Sequence, residues 1–142
     1  MSLSMRQWLG FAAVSVFLLA ASGARAQQSS MHETSVEIAQ LPTFCWGYLN
    51  VPNAKGYEFT WHDCGPGANH YCGSLLSIIR AKREPNKGRR TVHLNSANTD
   101  LRYTERAIKD YPKCSIRDHV ASARAELNNL YTVYGVQRPT LR

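Results

Sequence analysis

Apolar positions in this chain recur at helical spacing rather than in alternation. From Ala68 onward, Tyr71, Cys72, Leu75, Leu76, Ile78 and Ile79 follow the i, i+3, i+4, i+7 template and spread into a broad face. Gly65-Pro66-Gly67 opens this segment, and Arg80, Lys82 and Arg83 crowd its end, where cations meet the negative pole of a helix. Pro85 terminates it. Gly73 within the face costs roughly 1 kcal/mol relative to Ala, which predicts a neighbouring group in close approach there. A second helix is predicted from about Thr99 to Tyr111, with Leu101, Thr104, Ala107, Ile108 and Tyr111 on one side and Pro112 as its stop. Residues 84–97 between the two read as a polar connection. A third helix is predicted to open on a capping box at Ser115 and Asp118 and to turn Val120, Ala123, Leu127, Leu130, Tyr131 and Tyr134 inward. Gly135 is its expected C-terminal stop, with Pro139 beyond.

Upstream the pattern weakens. Residues 27–42 are polar without a clear period and read as a flexible lead-in. Thr43–Asn50 is a short apolar segment closed by Pro52, and Tyr57–Trp61 suits a short strand or a helical turn. Three helical patterns against one doubtful strand make the expected fold class mainly α. The expected domain is a small helical hairpin of about three helices over 43–135, stapled by disulfides, with 136–142 as a loose tail.

The first 26 residues change the picture of location. Met1–Gln7 carries one cation and no acid, Trp8–Ala21 is almost wholly apolar, and Ala24-Arg25-Ala26 supplies small residues at the spacing signal peptidase accepts. Residues 1–26 therefore read as a secretory signal with Gln27 as the new N-terminus, and no transmembrane segment is expected after cleavage. Cleavage removes two arginines and no acid, so the net charge falls from +7 to +5. All four cysteines, Cys45, Cys64, Cys72 and Cys114, lie in the exported part, and an even count in an oxidising compartment favours two disulfides. The expected location is periplasmic or secreted.

Two polar groupings invite chemistry. Trp61-His62-Asp63-Cys64 and Asn69-His70-Tyr71-Cys72 contain two His-x-Cys units, so His62, Cys64, His70 and Cys72 form a candidate zinc or copper set. The one-residue spacing argues against it, because on a helix His70 and Cys72 point about 200° apart. No Cys-x-x-Cys, phosphate-binding loop, His-Glu-x-x-His or Gly-x-Ser-x-Gly occurs, so no cofactor is expected and catalysis is disfavoured. A small secreted hydrolase using His62, His70 or His119 as acid and base remains a second alternative. The other grouping is basic: Arg80, Lys82, Arg83, Lys87, Arg89 and Arg90, opposed only by Glu84. Such a run is commonly a solvated surface. As a contact it suits an acidic protein or membrane headgroups better than nucleic acid, since it lacks interleaved aromatics.

The stretch Asn69-His70-Tyr71-Cys72-Gly73-Ser74-Leu75-Leu76, closing at Arg80-Ala81, resembles the first helix of a tetratricopeptide-type hairpin, in the divergent Cys- and His-bearing form of proteobacterial exported proteins. Ala107-Ile108-Lys109-Asp110-Tyr111-Pro112 resembles the end of its second helix, so the likeness covers residues 69–134. The long connection at 84–97 and the absence of a third unit depart from that family, whose arrays need about three units to bury a core. Disulfides can replace the missing neighbours. The resemblance implies a scaffold that binds protein, and no binding residue carries over from it. In an antiparallel hairpin the chain after Pro112 returns near residue 67, which places Cys114 by Cys64 or Cys72 and leaves Cys45 for the other; the preferred pairing is Cys64–Cys114 with Cys45–Cys72. The reading as a whole is an exported binding or accessory protein, with metal binding and hydrolysis as alternatives.

Overall fold

The computed structural model describes residues 34–49 and 63–140. Residues 1–26, read above as a secretory signal, and Tyr57–Trp61 and His62 lie outside the described residues. The described part is helical with no strand: α1 Ser35–Ile38, α2 Phe44–Tyr48, α3 His70–Arg83, α4 Lys87–Ala107 and α5 Arg117–Val133. Among these residues no helix is long and apolar enough to cross a membrane.

α3 is the hub. Its predicted face is buried at Tyr71, Cys72, Leu76, Ile78 and Ile79, and Ala81 is buried as well, so the helix is covered on several sides. α4 packs along one flank, α1 and α5 touch it, and a disulfide from Cys45 on α2 to Cys72 holds the other flank. The turn between α3 and α4 is only Glu84-Pro85-Asn86. Glu84 is extended (φ −76, ψ 113), as a residue before proline must be, and the Asn86 side chain accepts the Arg89 amide at 3.0 Å.

α4 corrects the expected connection at 84–97, because residues 87–98 are helical. Its buried stripe is Leu94, Ala97, Asn98, Leu101 and Thr104, at helical spacing but partly polar. Each polar member is satisfied. The Thr104 hydroxyl donates to the Asp100 carbonyl at 3.2 Å, and Asn98 Oδ1 accepts from Arg124 at 2.7 Å. At the far end Arg117 donates to the carbonyls of Ile108 (2.6 Å) and Tyr111 (2.9 Å), placing a cation on the negative pole of α4.

The open end of the α3–α4 hairpin is closed by Cys64–Cys114. The preferred pairing therefore stands, with Cys45–Cys72 as the second bond. Around this closure Gly65 and Gly67 adopt φ of 74° and 96°, and a Cβ on either would run into the rings of Tyr111 and Tyr103 respectively. The Ser115 amide donates to Asp63 Oδ2 at 2.9 Å. The capping box expected at Ser115 and Asp118 is consequently not formed. Ser115 belongs to the closure, α5 begins at Arg117 with Ile116 before it, and no side chain caps it.

The inward face of α5 is the predicted one, with Val120, Ala123, Leu127, Leu130 and Tyr131 buried and Tyr134 packed against the core. It ends at Gly135 (φ 58°), where the Gly135 amide donates to Thr132 and the Val136 amide to Tyr131. Val136 is buried in the core, so the tail docks at its first residue instead of starting loose at 136.

The lead-in is corrected in the same sense over residues 34–42. Thr34 and Glu37 make a reciprocal capping box on α1, Leu41 is buried beside Cys45 and Cys72, and Trp46 Nε1 donates to the Ile38 carbonyl at 3.0 Å. The folded unit thus begins before residue 43.

Two substitutions on α4 test whether it is a core helix through its first half. Leu94→Ala, at 0% exposure, should lower unfolding stability by about 2–5 kcal/mol. Val92→Ala, at 66% exposure, should stay within about 0.5 kcal/mol. Urea unfolding followed by circular dichroism reads both, and equal effects would contradict the burial.

Candidate functional site

The six cations of the basic run do not form a loop. Arg80, Lys82 and Arg83 end α3, and Lys87, Arg89 and Arg90 begin α4, on the two sides of a three-residue turn. Four of them are committed within the fold. Arg80 pairs with Glu37 through Nε–Oε1 at 2.8 Å, with the two side chains only 20% and 11% exposed. Lys82 meets Glu126 at 2.6 Å, and Arg89 holds both oxygens of Glu84 at 3.0 and 3.1 Å. Arg90 donates to the Glu84 carbonyl and lies over the Tyr134 ring, 4.3 Å from its centroid. Among the described residues Arg90 has no ion partner either, but of the six only Arg83 and Lys87 have neither an ion pair, a side-chain hydrogen bond nor a ring contact.

The histidine–cysteine grouping is separated by the fold. Cys72 is bonded to Cys45 and Cys64 to Cys114, so neither sulfur is a free thiolate, and the set His62, Cys64, His70 and Cys72 is not available as drawn from sequence. His70 turns instead to α4. Its Nδ1 lies 3.0 Å from Asp100 Oδ1, and its ring meets that of Tyr103 at a tilt of 43°, with the centroids 4.3 Å apart. That carboxylate is the close neighbour expected at Gly73, where a Cβ would sit 3.2 Å from Asp100 Oδ2. His119 has different surroundings: its ring lies 5.9 Å from Phe44, and its carbonyl accepts the Tyr71 hydroxyl. The two histidines therefore do not share a site.

The convergence that the fold creates lies between α4, α5 and the tail. Arg102, Arg124 and Arg138, with Asn98, Glu105 and Asn128, line a groove of about 310 Å³. Glu105 grips Arg124 with both oxygens, at 2.7 and 2.9 Å, and Asn98 takes a third bond from the same guanidinium. Arg124 is thereby fixed. Arg102 has no ion partner among the described residues, and Arg138 has only the face of Tyr131, 5.9 Å away. Burial raises the Tyr131 hydroxyl above its ordinary range, against the opposing pull of Arg124 and Arg138. The Oδ1 of Asn128 is buried with no hydrogen-bond partner.

Sequence reading missed this group. Its three arginines sit on α4, on α5 and beyond α5, and only their packing brings them together. The one local signal was the i, i+3 spacing of Arg102 and Glu105, which is common on exposed helix faces. A second, smaller cavity of about 250 Å³ is lined by Pro66, Tyr103, Arg106 and Ala107, on the Tyr103 side of the His70–Asp100 pair.

No protein-family model matches the chain, and no curated protein or solved structure matches it either. The residues themselves carry the functional argument.

The Glu37–Arg80 pair generates a pH prediction. Hydrogen bonds from Arg80, opposed by burial and helped by Thr34, hold the Glu37 carboxyl at about 2 against an ordinary 4.5. A carboxyl depressed in the folded state stabilises fully above its unfolded value and loses that contribution as pH falls. The loss should run from about 4.5 down toward 2 and amount to on the order of 2 kcal/mol. Glu37→Gln should be less stable near neutrality and should flatten this part of the profile. Urea midpoints between about pH 6 and pH 3 measure it, and a wild-type profile unchanged by the substitution would refute the assignment.

Proposed function

We propose that this chain is an exported binding or accessory protein that engages an acidic protein partner through the α4–α5 groove. The observation that carries the reading is the convergence of three arginines on one groove with a single opposing carboxylate. A cationic cluster left partly unpaired by its own fold complements a negative surface and steers the encounter. Arginine also suits a carboxylate better than lysine, because its planar fork binds both oxygens. The basic turn contributes only Arg83 and Lys87 to such an encounter, since its other four cations are engaged internally.

The exported part of the reading draws support from two disulfides, which persist in oxidising compartments, and from the signal-like first 26 residues. The scaffold part draws support from the antiparallel α3–α4 pair. Its three-residue turn removes the long connection that set the sequence apart from tetratricopeptide hairpins.

Two measurements test the proposal. Protein recovered from the periplasm and alkylated without reduction should have a mass starting at Gln27, four hydrogens below the reduced chain and free of label. A labelled or uncleaved chain would overturn export to an oxidising compartment. In crosslinking from the same compartment, Arg102→Glu with Arg138→Glu should remove the partner, while Arg83→Glu with Lys87→Glu should only weaken it. The reverse order would move the contact to the α3–α4 turn.

A further inference from the structure

We infer that the partner anchors an aromatic side chain in the cavity between the Pro66 turn and α4, with an adjacent carboxylate on Arg106. This rests on the reading of an acidic protein partner and extends its contact across α4, from the α4–α5 groove to a second site.

The two sites share a ridge of positive charge. On the α4 helix Arg102 and Arg106 point about 40° apart and lie about 6 Å apart along the axis. Arg102 lines the α4–α5 groove, and Arg106 lines the cavity of about 250 Å³ together with Pro66, Tyr103 and Ala107. Neither arginine has an ion partner among the described residues. The Arg106 guanidinium lies beside the Tyr103 ring, 5.8 Å from its centroid.

Tyr103 walls the cavity, and its ring is held in place although it is 47% exposed. Asp100 fixes His70 at 3.0 Å, and the His70 ring lies 4.3 Å from that of Tyr103. Gly67 approaches from another side, so closely that a Cβ there would strike the Tyr103 ring. A tyrosine braced in this way loses little freedom when a partner covers it. Tyrosine and arginine are also enriched among the residues that carry most of the energy of protein interfaces.

Size and lining select the occupant. An apolar cavity of about 150 Å³ accepts a benzene ring, so about 250 Å³ holds one aromatic side chain. Pockets for free small molecules start at about 300 Å³ and enclose most of the ligand. This one is smaller, and its Pro66 and Arg106 walls are exposed, which suits a side chain carried on a larger surface. A phenyl ring there packs against the Tyr103 ring and beside the Arg106 guanidinium. The Arg106 fork is then free to take both oxygens of a carboxylate on the next residue of the partner. Arg102, one turn back, continues the positive edge toward the groove.

The test titrates the full exported chain with the blocked peptide acetyl-Ala-Phe-Asp-Ala-amide, read by NMR at the Tyr103 ring and Arg106 Nε signals. Both signals should shift and saturate together. Replacing Phe of the peptide by Ala should weaken binding about tenfold or more. Replacing it by Leu should cost about two- to tenfold, and replacing Asp by Asn about three- to tenfold. In the protein, Tyr103→Ala should cost as much as the loss of the peptide's ring, while Tyr103→Phe should keep the affinity. Val92→Ala, on the same face of α4 about 16 Å away, should change nothing.

If the peptide with Ala for Phe binds as tightly as the parent, or Tyr103→Ala leaves affinity unchanged, no side chain enters the cavity and the inference fails. If phenylacetate binds as tightly as the peptide, with the same shifts, the cavity is a small-molecule site and the inference fails. Crosslinking separates this result from the groove reading. Tyr103→Ala with Arg106→Glu should remove the partner that the parent chain captures. A partner that survives this change, yet is lost with Arg102→Glu and Arg138→Glu, overturns the cavity anchor and leaves the groove reading standing. The opposite pattern keeps the anchor and overturns the groove.

Discussion

Closure of the open end of the α3–α4 hairpin is the constraint on which the other contacts depend. At 84–86 the two helices are joined by a turn too short to splay, but at the opposite end the chain enters at Asn69 and leaves at Ile108 with nothing covalent between. Cys64–Cys114 makes that link across 50 residues of sequence, which in the chain-entropy account removes about 4 kcal/mol of freedom from the unfolded state. The loop it closes needs two glycines in the left-handed region because the rings of Tyr103 and Tyr111 occupy the space a Cβ would take. Ser115, drawn to Asp63, can then no longer cap α5, and that helix starts one residue later, on Arg117. Arg117 in turn covers the end of α4.

Charge has two separate duties here. Half of the six cations at the α3–α4 turn neutralise acids of the fold: Arg80 anchors α1 through Glu37, Lys82 bridges to α5 through Glu126, and Arg89 closes on Glu84. The exposed pairs among these contribute little individually, whereas the Glu37–Arg80 pair is shielded and fixes the single turn α1 to the hub. The charge left over collects elsewhere, on a helix seam that the linear run did not indicate. A basic stretch in sequence and a basic site in space are therefore different things in this molecule.

What could be read from residues alone follows the same physics. α3 and α5 were legible because aliphatic and aromatic side chains mark their buried faces at helical spacing. The first half of α4 was not, since over residues 87–98 its only buried apolar side chains are Leu94 and Ala97, and Asn98, satisfied by Arg124, stands where an apolar stripe would continue. The hairpin argument still placed Cys114 beside Cys64 or Cys72, and it is bonded to the first of these, because the argument needed only where α4 ends. α1 escaped notice for lack of length: one turn cannot stand alone, and its anchor, Arg80, is forty-three residues away along the chain. The groove was illegible for a similar reason, as Arg102, Arg124 and Arg138 have no common period and meet only after α5 folds back on α4.

The seam between α4 and α5 is where fold and site meet. Beside Leu101, Leu127 and their neighbours it is held by polar contacts, Arg124 to Glu105 and Asn98, and the Tyr131 hydroxyl to Asn95 at 2.9 Å. An all-apolar seam would be at least as stable, given what buried polar groups cost to desolvate. The polar version specifies register, since each donor has one acceptor and a shifted helix would strand several at once. It also leaves the outer edge of the seam hydrated and charged, with Arg102 and Arg138 flanking side chains that are already fixed. A small domain whose ends are tied by disulfides can carry such a seam without splaying, and the seam then keeps its polar outer edge.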